Sequence, residues 1–126
     1  MLMRRRFAKL AKAADLPLTQ SEARTLVHVA REPGMHQAAL STQLDVEPIA
    51  LVRLLDNLER AQLIERRQRQ SDRRVWTIWP TAAALPLLRQ IDHIREDLRE
   101  AALRGISEDA RVMLIKSLIT IRKNLS

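Results

Sequence analysis

Arginine carries most of the chemistry this sequence can offer. Between Arg60 and Arg74 stand six arginines, at 60, 66, 67, 69, 73 and 74, against Glu65 and Asp72, a local charge of +4. Guanidinium groups stay charged, and their planar forks match phosphate oxygens and the O6/N7 edge of guanine. So lopsided a run is poorly explained as a solvated loop and suits a polyanion. Upstream, Gln37, Ser41 and Thr42 are candidate donors to phosphate oxygens, contacts that position a duplex without reading it. Arg53 falls opposite an apolar stripe of Leu51, Val52, Leu55 and Leu58, on a face shared with Ala50, Asp56 and Asn57. It suits guanine, but on charge pattern alone a surface pair with Glu59 or Asp56 explains it equally well.

Other chemistry is sparse. His28, His36 and His93 are scattered without a second ligand at helical spacing, so no metal site is expected. The carboxylates of Glu96, Asp97 and Glu100 interleave with Arg95 and Arg99, the pattern of a solvated, ion-paired helix face. No Gly-rich phosphate loop or nucleophile elbow occurs, and the absence of cysteine excludes disulfides, thiolate zinc sites and thiol redox switching. The sequence therefore predicts a binding protein with no catalytic residue, metal or cofactor. At 126 residues one domain is expected, and a net charge of +7 favours nucleic acid first and an anionic membrane surface second. No apolar run approaches the roughly 18 residues of a membrane span, and no signal-peptide pattern opens the chain. A cytoplasmic protein without membrane attachment is the expectation.

The elements that must hold these side chains can be read from periodicity and caps. Met1–Leu10 reads as a helix. Thr19-Gln20-Ser21-Glu22 has the form of a capping box ahead of Ala23, Leu26, Val27 and Ala30, and Glu32-Pro33-Gly34 ends that helix. A short helix follows over 37–44, then a turn at 45–47, then a helix over 48–61 that opens on Pro48. Residues 63–67 and 75–79 read as two strands joined by a long polar tip over 68–74, with Trp76 and Trp79 on opposite faces. Thr81 is expected to cap a long helix bearing Leu87, Ile91, Ile94, Leu98 and Ala101. After Gly105, Ser107 caps a last helix with Leu114, Leu118, Ile121 and Leu125 at the same spacing. Both 3.5-residue repeats predict seams for other helices. The class is mainly α with a small β-hairpin wing, the parts list of a winged helix-turn-helix flanked by N- and C-terminal dimerisation helices.

At the sequence level, the segment from Glu47 to Glu59, then Leu63-Ile64-Glu65-Arg66-Arg67, then Ser71-Asp72-Arg73-Arg74, resembles the recognition helix and wing of MarR-type transcriptional regulators, closest to the SlyA-like branch. The resemblance runs from Leu18 to Ser107. It implies a single domain over 1–126, with a DNA-binding lobe at about 18–80 and dimerisation helices at 1–17 and 81–126. It also implies a homodimer on a palindromic operator of double-stranded DNA, with helix 48–61 in the major groove and wing 63–79 in the minor groove. Arg53 matches the family's base-reading arginine. Arg73 and Arg74 match its minor-groove arginines with Asp72 bracing them, and Pro48, Ala50, Asn57 and Arg69 complete the candidate contacts. A repressor released by a small aromatic or phenolic acid, held between the dimer helices and the winged lobe, is what such a family member would be.

Several positions depart from the family. His36 replaces a capping Thr, Ala50 a hydroxyl residue, Asp45 and Gln62 glycines, and Pro80 a leucine. Gln62 is then expected at positive φ, at a cost of about 1 kcal/mol. The chain starts inside the family's first helix, so either part of the N-terminal dimer contact is missing or the start lies late. The alternative these departures leave open is an interaction module of the same fold that no longer reads an operator.

Overall fold

The computed structural model describes residues 1–126 as α1 (Leu2–Ala13), α2 (Gln20–Arg31), β1 (Met35–His36), α3 (Gln37–Leu44), α4 (Pro48–Arg60), β2 (Ile64–Arg69), β3 (Asp72–Pro80), α5 (Ala84–Ala102) and α6 (Glu108–Leu125). The class is the expected one, six helices and a small antiparallel sheet in the order β1-β3-β2. The capping box forms: Thr19 N donates to the Glu22 carboxylate at 2.9 Å and Glu22 N donates to the Thr19 hydroxyl at 3.2 Å. Two backbone donors at the start of α2 are thereby satisfied. The α3–α4 turn passes through Asp45 at φ 53°, and Gln62 sits at φ 62° where glycine was expected to be replaced at some strain. Ser107 caps α6 by accepting from Ala110 N at 3.2 Å.

Four expectations are corrected. A third strand was missed: Met35 and His36 pair with Ile78 and Thr77, too short a run to show alternation. The wing has no long tip, because β2 and β3 extend until only Gln70 and Ser71 remain between them. Thr81 does not cap α5; its hydroxyl donates to the Gln62 carbonyl at 2.7 Å, and α5 begins at Ala84 with no side-chain cap. Val52 does not join the buried stripe of α4, which consists of Leu51, Leu55 and Leu58, and is 38% exposed.

One apolar cluster unites the helices and the wing base. Leu26, Leu40, Leu44, Leu51, Leu55, Leu58, Ile64 and Ile78 are fully buried, and the cluster continues through Ile91, Ile94 and Leu98 of α5 to Phe7 and Ala11 of α1. The α5 seam is therefore filled by the chain's own α1. The α6 seam is not. Val112, Met113, Leu114, Ile115, Leu118, Ile119, Ile121 and Leu125 are all exposed, and no residue of α6 is buried.

Candidate nucleic-acid interface

The candidate contacts fall on three surfaces: a cleft, the exposed face of α4 and the turn of the wing. Gln37, Ser41 and Thr42 of α3, Pro48 at the start of α4, and Arg74 of β3 line a single cleft, with Trp76 as one wall. Ala50, Arg53 and Asn57 lie exposed on α4. Arg69, Asp72 and Arg73 sit where the wing turns back. The register breaks there: Gln68 faces Trp76 but Arg69 faces Asp72, so residues 73–75 of β3 have no opposite number on β2. Such a bulge turns side chains away from the ladder, and it is where both wing arginines stand.

Asp72 shapes that bulge. Its carboxylate accepts from Arg74 N at 3.0 Å and from Arg74 Nε at 3.1 Å, a bracing role that keeps Arg74 extended with 92% of its side chain exposed. The Arg74 guanidinium beside it holds the Asp72 carboxyl below its usual range. At the wing base, Trp79 packs its ring over Gly34, whose φ is +85° and where a Cβ would come 2.8 Å from two ring carbons. Gly34 N donates to the Ile78 carbonyl at 2.8 Å, and the Arg67 guanidinium stacks 4.6 Å above the Trp79 ring. Trp76 points to the opposite face, 42% exposed, as their odd spacing requires.

The charges on α4 are partitioned. Arg66 of β2 donates through Nη2 to Asp56 Oδ1 at 2.7 Å and to Glu59 Oε1 at 2.6 Å, and through Nε to Glu59 Oε1 at 3.0 Å. Its backbone N–H also donates to Glu59 Oε2 at 3.2 Å. These are the only side-chain hydrogen bonds between the wing strands and α4. The hydrogen bonds from Arg66 hold Glu59 below the usual carboxylate range, and Glu59 in turn raises the Arg66 guanidinium. Both acids that might have paired with Arg53 are thus engaged elsewhere, and Arg53 is exposed without an ion pair.

Other candidates are less free. The Ser41 hydroxyl donates to the Val46 carbonyl at 2.6 Å and that of Thr42 to the Ala38 carbonyl at 3.2 Å, so either must rotate to reach a phosphate. Asn57 accepts from Arg60 at 3.2 Å. His36 stands at the N-cap of α3 without a side-chain cap, and His28 meets Gln43 at 3.3 Å. Sequence reasoning counted Arg66 only as charge and missed its bridging role, which depends on the β2–α4 crossing. It also placed Val52 inside and passed over Ile49, which is 74% exposed.

Comparison with known proteins bears on the fold that carries these residues. Residues 18–76 match the model of the MarR family. The solved structure of MarR is 25% identical with a TM-score of 0.89, over 97% of this chain and 82% of that one. The transcriptional regulator SlyA is 24% identical with a TM-score of 0.84, over 98% and 89%. FabT of Streptococcus pneumoniae, solved in complex with DNA, is 25% identical with a TM-score of 0.70, over 86% and 76%.

Proposed function

We propose that this chain, whose residues 18–76 match the MarR family model, is a homodimeric regulator, of the SlyA-like branch, that reads a palindromic operator in double-stranded DNA. The observation that carries this reading is the exposed, unpaired Arg53 on α4 while the neighbouring acids are held by Arg66. A helix laid in the major groove presents its outward face to base edges, and Arg53 there reads guanine. Arg73 and Arg74, turned out by the wing bulge, enter the adjacent minor groove, where narrowing deepens the negative potential. Gln37, Ser41, Thr42 and Pro48, which line one cleft, meet the intervening phosphates in this reading, and the exposed Ala50, Asn57 and Arg69 complete the contacts.

The exposed α6 seam supports the dimer. An uncovered apolar face of this extent marks an interaction surface, and a second copy of α6 offers the same spacing. Two copies then present two recognition helices to half-sites about 34–36 Å apart. A groove between α1 and α2, lined by Phe7, Leu16 and Leu18 and rimmed by Arg4 and Lys12, suits an aromatic or phenolic acid whose binding releases the operator. In this reading the protein is a ligand-responsive cytoplasmic repressor rather than an enzyme. No helix is long and apolar enough to cross a membrane.

The test is selection of duplexes by the purified protein from a random double-stranded library, followed by titration of the tightest palindrome at several salt concentrations. Arg53→Ala should lose about 1–3 kcal/mol of discrimination at one base pair of each half-site. Arg74→Ala should weaken all sequences alike and reduce the salt slope by about 1 per protomer. If no duplex is enriched at low salt, the interaction-module reading replaces this one.

A further inference from the structure

The outward face of α4 is not uniformly polar. Ile49 is 74% exposed, Val52 is 38% exposed, and the two stand with Arg53 at i, i+3 and i+4, so they share one side of the helix. Ile49 is the second residue of α4, in the turn that enters a major groove first. Exposed Glu47 and Asp45 lie at the N-terminal end of α4, but along the face that continues from the pair the unpaired charge is cationic: Arg53 stands one turn on, and Asp56 is tied to Arg66. A protein partner drawn to the aliphatic pair would have to cover unpaired guanidinium as well. A DNA major groove satisfies both at once, because its only apolar feature, the thymine C5-methyl, lies beside the guanine O6/N7 edge of a neighbouring pair.

We propose that Ile49 and Val52 determine specificity by packing on thymine methyl groups next to the guanine read by Arg53. This rests on the DNA-binding reading above and deepens it by naming the base chemistry of the half-site. It requires thymine within one or two base pairs of that guanine.

The experiment uses the full-length protein and the palindrome it selects. Each thymine of the half-site is replaced in turn by deoxyuridine, which deletes one methyl and leaves every hydrogen-bonding group in place. At one or two positions the affinity should fall about 4-fold, the worth of one methyl group removed from water. Ile49→Ala and Val52→Ala, both surface changes that leave the core intact, should bind thymine and deoxyuridine versions equally at those positions. Arg53→Ala should keep the methyl preference while losing the guanine preference. The proposal is overturned if no thymine methyl matters, or if the preference survives in the Ile49→Ala/Val52→Ala double variant. Either result assigns the aliphatic pair to another partner. Failure of the protein to select any duplex would instead overturn the DNA-binding reading itself.

Discussion

The junction of the wing with α4 is a closed piece of structure, whereas α6 is an open one. At the junction Ile64 and Ile78 end the apolar core, and beyond them Arg66 satisfies both acids of α4, so little is left unpaired except what faces outward. On α6 eight large apolar side chains find nothing to cover them. Water charges about 1.5–3 kcal/mol for each such side chain left uncovered. The contrast teaches that the lobe carries its own core, while the C-terminal helix leaves an apolar face bare, the face assigned above to the proposed dimer.

The sharpest way to break this contrast is a charge in the seam. Leu118→Asp should dissociate the dimer, seen as a fall to the 14.5 kDa monomer in light scattering, without lowering the helix content of the lobe. Because two linked half-sites gain roughly 10²–10⁴-fold over one, operator affinity should collapse with it. A variant that stays dimeric would show that the seam lies elsewhere. In the lobe the same kind of substitution should act on folding instead. Leu55, fully buried in α4, should cost about 2–5 kcal/mol when cut to alanine, and denaturant unfolding would register it. Leu118→Ala should cost the isolated lobe almost nothing.

These two regions also differ in how far the sequence revealed them. Helix faces, the Thr19–Glu22 capping box, the Ser107 cap and the left-handed Gln62 were all legible, because each depends on residues a few positions apart. The α6 seam was legible as a pattern, but an identical pattern on α5 turned out to be filled by α1. Periodicity shows that a face wants cover and does not say which helix supplies it. At the candidate site, the outward Arg53 and the arginine-rich wing could be seen in the sequence. What could not be seen was the engagement of Asp56 and Glu59 by Arg66, since that needs the crossing angle of β2 over α4, and it is this contact that leaves Arg53 unpaired. The exposure of Val52 was missed for a related reason: it flanks the buried Leu51 and Leu55 on the helical wheel, and only the packing of α4 shows where the covered stripe ends.

A smaller effect tests whether the junction matters for orientation as well as closure. Asp56→Asn/Glu59→Gln removes two negative charges from a surface proposed to meet phosphates, so electrostatics alone predicts tighter DNA binding. If the Arg66 contacts hold the wing at the angle both grooves require, the same variant should bind several-fold more weakly, with its salt slope unchanged because no phosphate contact is lost. Arg66→Lys, which keeps the charge and loses the planar fork, should weaken binding in the same direction. Tighter binding by the double variant would reduce the junction to packing.

The smallest expected effect is in the response to acid, and its sign follows from the same contacts. Hydrogen bonds from Arg66 lower the Glu59 pKa in the folded protein relative to the unfolded chain. The unfolded state therefore binds a proton first as pH falls, so the contribution of Glu59 is full above the ordinary carboxylate range and disappears as pH drops through the depressed folded value. With 39% of the Glu59 side chain in contact with solvent, water screens the pair and holds the contribution to at most about 1 kcal/mol. Asp72 shifts in the same direction, but its partner Arg74 keeps 92% of its side chain in water where Arg66 keeps 21%, so that pair is screened more fully and a melt should register almost nothing of it. Glu59→Gln should accordingly flatten the dependence of unfolding midpoint on pH between about 5 and 3, whereas Asp72→Asn should leave it as it is. If the two variants flatten the curve equally, the junction is no more closed than the wing tip, and the contrast with α6 loses its basis.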